Sequence, residues 1–278
     1  MRRSSGPAAA SLAAGLTILR LSPHSIIVKT SFALAVALAI FATTRHVQLL
    51  RHRRVTRWPS RNAPVVPLAE RPDYHLFVLG SGGHTKEMLM MMDDGFCDMA
   101  RLHRRYLLSS GDRVSRHQLE DYEARLTSLC CGAGTEAGTY DVRTVLRARR
   151  VHQSLLTTPF TALASIAAIV SVLLSPPVNV TGRAVKFPTM VFSNGPGTGF
   201  CVALAVHLLK VFCVVPDDVM RFVYVESWAR ISSLSLTARL LRRLGVADAL
   251  YVQHAEVAAK YGLPCAGEMV LNARHLDD

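Results

Sequence analysis

LFVLGSGGHTKEML, residues 76–89, joins an apolar run to a run of helix formers through Gly80, Ser81, Gly82 and Gly83. Glycines permit the tight turn and let backbone N–H groups approach an anion, which then sits at the positive end of the helix dipole. His84 and Thr85 stand at the helix start, where their side chains can face the same ligand. The spacing is neither GxGxxG nor the GK[ST]-ended loop of nucleotide-hydrolysing enzymes. The plainer alternative is a turn required only sterically, with His84 as a cap.

Strand and helix alternate outward from this turn. YHLFVLG (74–80) is a strand stopped by glycine, with HTKEMLMMMDD as the helix behind it. RRYLLSS (104–110) reads as a second strand, RLTSLCC (125–131) as a third, and Val142 to Leu155 as a basic helix. After Pro159 comes the helix FTALASIAAIVSVLL, ended by Pro176 and Pro177. FPTMVFSN (187–194) is a buried strand followed by the helix GFCVALAVHLL, and VFCVV (211–215) and RFVYVE (221–226) look like consecutive strands. ISSLSLTARLLRRLG is a helix ending at Gly245, and DALYVQ (248–253) is a last strand. Apolar strands alternating with helices predict an α/β fold: a doubly wound, Rossmann-like parallel sheet covered on both faces.

VFSNGPGTGF repeats the logic of the first turn, placing Asn194, Gly195, Pro196, Gly197, Thr198 and Gly199 between a strand and a helix. In a parallel sheet both loops leave the carboxyl ends of their strands and can flank one crevice. Two anion-accepting turns on one edge suggest a diphosphate. A third strand end, YVESWARISSLSL, offers Glu226, Ser227 and Arg230. Glu226 can accept a hydrogen bond from a sugar hydroxyl, act as a base, or pair with Arg230 one turn on. There is no Ser-His-Asp arrangement, no HExxH and no paired metal-ligand spacing, so no metal or cofactor is expected.

The 278 residues suffice for one well-buried domain and an appendage. Hydrophobic content of 50% and a mean hydropathy of +0.25 point to a membrane segment. SIIVKTSFALAVALAIFATT (25–44) carries Lys29 as its only charge and is long enough to cross a hydrocarbon core of ~30 Å. It divides a lead at 1–24 from a basic, proline-bearing linker at 45–73, and the folded domain follows at 74–278. Arg45, Arg51, Arg53, Arg54, Arg57 and Arg61 crowd its C-terminal side and place the domain in the cytosol by the positive-inside bias. A cleaved signal peptide would start its apolar region nearer the N-terminus and end at small residues rather than an arginine cluster. The uncharged stretch Thr157–Ser175 fits a buried crossover helix, or one whose outer face touches the membrane. The net charge of +12 favours phosphate-bearing or membrane partners. Scarce aromatics without basic interleaving argue against nucleic acid. Six cysteines without a CxxC pair fit a reducing compartment.

GSGGHTKEML, RVSR, RRVHQS, SNGPGTG, YVESWARISSLSLTARLL and DALYVQ, taken in order over about residues 74–261, resemble the membrane-anchoring subunit of the two-part UDP-N-acetylglucosamine transferase of asparagine-linked glycosylation. That subunit is similar to the N-terminal, acceptor-binding half of a GT-B glycosyltransferase. The resemblance implies a small catalytic partner that binds the UDP-sugar, forming a heterodimer. It implies transfer of the second N-acetylglucosamine to dolichyl-diphosphate-N-acetylglucosamine at the cytosolic face of the endoplasmic reticulum membrane, and by extension of the nuclear envelope. It also implies no activity for this chain alone. Carried over residue by residue, acceptor-diphosphate binding falls on Gly82, Gly83 and His84, with Asn194, Gly195, Gly197 and Thr198 as the second wall; Ser81 and Thr85 lie within the first loop. His84 and Glu226 are the catalytic candidates, and Glu226 with Arg230 matches the family's VES-x-x-R segment. Two departures stand out. Gln253-His254 replaces the family's Gln-Trp, and the tail GLPCAGEMVLNARHLDD is longer and more polar than the terminus that grips the catalytic subunit. Two other functions are compatible with the fold. A membrane-tethered dinucleotide-binding oxidoreductase needs an acidic residue after the second strand, where Ser109-Ser110-Gly111-Asp112 stands. A scaffold with non-binding loops needs nothing.

Overall fold

The computed structural model describes residues 23–55, 73–93, 99–148, 153–154, 156–177 and 186–267. Helix α1, Pro23–Val55, is a single run of 33 residues and so continues past Thr44. No proline or glycine interrupts it beyond Pro23. Ile27–Arg53 has a mean hydropathy of 1.8, enough by length and composition to cross a bilayer. The chain divides into two compact units between Gln48 and Leu49, inside this helix.

The larger unit alternates β1 (Asp73–Val78), α2 (Gly83–Met92), β2 (Leu102–Ser109), α3 (Arg113–Gly132), β3 (Thr139–Val145), α4 (Thr158–Leu174), β4 (Met190–Ser193), α5 (Thr198–Val211), β5 (Arg221–Val225), α6 (Leu236–Leu244), β6 (Ala249–Tyr251) and α7 (Ala255–Tyr261). Among the described residues the strands form one six-stranded sheet in the order β3-β2-β1-β4-β5-β6, every pair parallel. This is the doubly wound order, and its direction of winding reverses between β1 and β4.

Alternation along each strand sorts the core into two layers. Leu76, Val78, Val191, Phe222 and Tyr224 face α4, α5 and α6, whereas Phe77, Leu79, Tyr106 and Leu108 face α2 and α3. On the second face the half-sheet of β4, β5 and β6 borders an apolar groove of about 430 Å³, lined by Phe77, Met88, Phe192, Val225 and Tyr251, with Ala266 at its rim.

Two strands lie elsewhere than the sequence suggests. Residues 125–131 belong to α3, whose buried Leu119, Tyr122, Leu126 and Cys130 recur at helical spacing. The third strand is instead Thr139–Val145, which takes up the first four residues of the expected basic helix over 142–155, and its polar character follows from its place at the sheet edge; residues 149–152 and 155 of that stretch lie outside the described residues. VFCVV is no strand either: α5 runs to Val211, and Cys213 turns back at φ 56°. The predicted helix over 231–245 begins only at Leu236, because Ser235 caps it by accepting from the Ala238 N–H.

Charged side chains inside the sheet are paired. Arg104 donates through Nε and Nη2 to the two carboxylate oxygens of Glu123 at 3.0 and 2.8 Å, and the Tyr106 hydroxyl donates to the same carboxylate. Arg105 donates to Asp141 at 2.7 and 2.8 Å and reaches the C-terminal carbonyls of α4 at Val172 and Ser175. Arg53, at the C-terminal end of α1 and within the larger unit, donates to Asp248 at 2.8 Å and to the Gly245 carbonyl that closes α6. The same Asp248 receives the Phe222 N–H at 2.7 Å.

Candidate functional site

β1 and β4 each end in a glycine-rich loop, and the two loops touch at the point where the sheet reverses. A Cβ on Gly80 would lie 2.7 Å from the His84 Cβ and 3.4 Å from the Gly195 Cα; one on Gly195 would lie 3.1 Å from the Gly80 Cα. A side chain at Gly195 would press on the Gly80 backbone, and one at Gly80 on His84. Gly82 (φ 60°) and Gly197 (φ 68°) occupy equivalent N-cap positions of α2 and α5, in a region of φ that L side chains rarely adopt. Two helix N-termini, each with unpaired first-turn N–H groups and about half a positive charge, therefore converge on one crevice.

The sequence-predicted residues fall into two groups. Ser81, Gly83 and Gly197 are exposed, Gly82 and His84 half-buried, and Arg230 is exposed on the loop after β5. Thr85, Asn194, Gly195, Thr198 and Glu226 are buried and build the loops themselves. Thr85 donates to the Gly80 carbonyl, and its hydroxyl oxygen lies 2.8 Å from that of Ser115. Thr198 contacts the Ser109 hydroxyl at 3.1 Å. Asn194 donates from Nδ2 to the His84 carbonyl at 2.9 Å, which ties the second loop to the first. Both carboxylate oxygens of Glu226 are occupied by backbone N–H groups, Ser227 at 3.1 Å and Ser235 at 2.8 Å. That carboxylate shapes the β5–α6 loop from inside.

Sequence reasoning missed the group at the centre of this edge. Glu87, one turn into α2 and 8% exposed, accepts from Gln253 Nε2 at 2.8 Å, Ser227 Oγ at 2.9 Å, Asn194 Nδ2 at 3.3 Å and the Trp228 N–H. His84 Nδ1 lies 3.6 Å from its Oε2, beyond hydrogen-bond distance. Burial alone would raise the Glu87 carboxyl; the contacts from His84, Trp228, Ser227 and Gln253 outweigh it and hold it below the usual carboxylate range. One carboxylate thus joins the loops after β1, β4, β5 and β6. The available signal was an acid at i+3 from His84 on an otherwise apolar helix face. Gln253 also donates to the Glu226 carbonyl at 3.0 Å, and His254 packs its ring 4.3 Å from that of Trp228.

β2 ends differently from a dinucleotide-binding strand. Asp112 caps α3 by accepting from the Ser115 N–H at 3.0 Å, so its carboxylate is committed to the helix start.

Comparison with known proteins agrees with this geometry. Residues 75–265 match the family described as oligosaccharide biosynthesis protein Alg14 like. The chain belongs to this family. A relative from Debaryomyces hansenii, named UDP-N-acetylglucosamine transferase subunit ALG14, is 32% identical over 197 residues, covering 70% of this chain and 75% of the relative. Relatives of the same name from Schizosaccharomyces pombe and Mus musculus are 35% and 33% identical, over 67% of this chain and 79% and 77% of their own lengths. No solved structure matches the chain. The family match spans both glycine loops, Glu87, the β5–α6 loop and Gln253.

Proposed function

We propose that this chain is the membrane-anchoring, acceptor-binding subunit of a two-chain N-acetylglucosaminyltransferase. It adds the second N-acetylglucosamine to dolichyl-diphosphate-N-acetylglucosamine at the cytosolic face of the endoplasmic reticulum. The observation that carries this reading is the backbone contact of the Gly80 and Gly195 loops, which sets two helix N-termini side by side. One N-terminus suits one phosphate, and an adjacent pair suits a diphosphate. The names of the relatives supply the sugar donor, UDP-N-acetylglucosamine.

The donor is held by the partner. The apolar groove over β4–β6, which Ala266 helps to line, is the surface on which the catalytic subunit docks. The test is co-expression with the small subunit. Transfer from UDP-N-acetylglucosamine to a lipid-diphosphate acceptor is expected only when both chains are present. Transfer at full rate by the purified chain alone would refute the division of labour.

Besides α1, the larger unit has its own membrane-facing surface. Leu156, Phe160 and Leu163, at the start of α4, are 85%, 72% and 64% exposed, and the helix carries no charged residue. They lie at the carboxyl edge of the sheet, where Arg113, Arg116 and Arg147 supply positive charge for lipid phosphates. Phe160→Asp is expected to raise the apparent KM for a long-chain lipid acceptor roughly tenfold, the worth of about 1.4 kcal/mol of lost burial. A water-soluble short-chain acceptor should be used as before. Equal loss with both acceptors would place this face against protein instead.

A further inference from the structure

We propose that Glu87 is a positioning residue for acceptor binding: its carboxylate fixes the His84 imidazole with Nδ1 turned inward and Nε2 presented to the acceptor's diphosphate. This rests on the reading that the Gly80–Thr85 loop holds that diphosphate. The His84 ring is 30% exposed, yet its Nδ1 is buried and makes no hydrogen bond, so the exposed edge is the Nε2 side. The group facing Nδ1 is the Glu87 carboxylate at 3.6 Å.

Glu87 cannot turn away from His84. Ser227, the Trp228 N–H, Gln253 and Asn194 hold its two oxygens from three other loops. A carboxylate whose other partners are all neutral leaves its charge for the imidazole. The remaining ionisable side chains of these loops are engaged or point outward. Glu226 is bound by the Ser227 and Ser235 N–H groups, and His254 contacts the Trp228 carbonyl at 2.6 Å. Lys86 and Arg230 are exposed, and the Tyr224 hydroxyl meets Ser235.

Glu87→Gln keeps the shape and hydrogen-bonding capacity of the side chain but removes its charge. In the assembled two-chain enzyme it is expected to raise the acceptor KM roughly tenfold with the donor KM unchanged. In a His84→Ala background the same change should leave the acceptor KM where His84→Ala alone puts it, because the ring that the carboxylate positions is gone. An equal loss with and without His84, or one that raises the acceptor and donor KM alike, would reduce Glu87 to a structural tie and overturn the proposal. Should Glu87→Gln fail to assemble, Glu87→Asp reads the same coupling: an acceptor-KM effect that vanishes in the His84→Ala background supports it, and one that persists there refutes it. Failure of the underlying reading is separately visible, as an acceptor KM that His84→Ala leaves untouched.

Discussion

Glu123→Ala is expected to destabilise the protein by about 3–5 kcal/mol, the cost of leaving one member of a buried ion pair without its partner. Arg104 and Tyr106 are fully buried and Glu123 nearly so, and the guanidinium binds the carboxylate through two nitrogens. Removing the carboxylate strands a guanidinium and a phenol with no water to replace it. Arg104 would keep the Tyr106 hydroxyl at 3.2 Å, the Ala137 carbonyl at 2.6 Å and a Met99 sulfur contact, none of them charged. For a domain of this size the loss corresponds to a melting temperature lower by the order of 10 °C. Thermal denaturation of the purified chain checks it, and the double change Arg104→Met, Glu123→Leu should recover much of the loss because no buried charge is left behind. A shift under about 2 °C for the single change would mean that the pair contributes little.

Gly80→Ala is expected to reduce acceptor kcat/KM by roughly a hundredfold in the assembled enzyme, as misplacement of binding groups by about 1 Å can do. The added methyl would lie 2.7 Å from the His84 Cβ, so it displaces His84 within its own loop, while the Gly195 backbone at 3.4 Å stays at ordinary contact. Gly82→Ala makes the instructive contrast. Nothing lies within 4 Å of its added Cβ, and its cost is the strain of φ 60° with ψ −115°, about 1–3 kcal/mol. Steady-state kinetics with acceptor varied should therefore rank Gly80→Ala far below Gly82→Ala. Equal effects would show that turn conformation alone matters, and not the placement of His84.

The sequence made most of the fold legible because central strands of a parallel sheet are buried on both faces and so stand out as apolar runs. β1, β4 and β5 were found that way, and so were the two glycine loops that follow β1 and β4. The edge strand β3 escaped because one side of it meets solvent. Arg143 looks helical in a stretch rich in arginine until Asp141, two residues before it, is seen to pair with Arg105 of the neighbouring strand. Residues 125–131 misled in the opposite sense, since their apolar members belong to one face of a long helix. In the site, Glu87 was hidden in plain view beside the glycines. Its importance comes from Ser227 and Gln253, 140 and 166 residues away in sequence, and no local pattern announces such a meeting. Glu226 is the converse: conspicuous at a strand end, and buried with both oxygens on backbone N–H groups.

The central claim is that the paired glycine loops hold the acceptor's diphosphate while the partner holds the sugar donor. A lipid-diphosphate-N-acetylglucosamine carrying a photoreactive group next to the diphosphate tests it most directly, in the assembled enzyme, by mapping the cross-linked peptides. Cross-links are predicted within residues 80–87 and 194–199 of this chain, competed by unlabelled acceptor and not by UDP-N-acetylglucosamine. Cross-links confined to the partner, or competed by the sugar nucleotide instead, would contradict it.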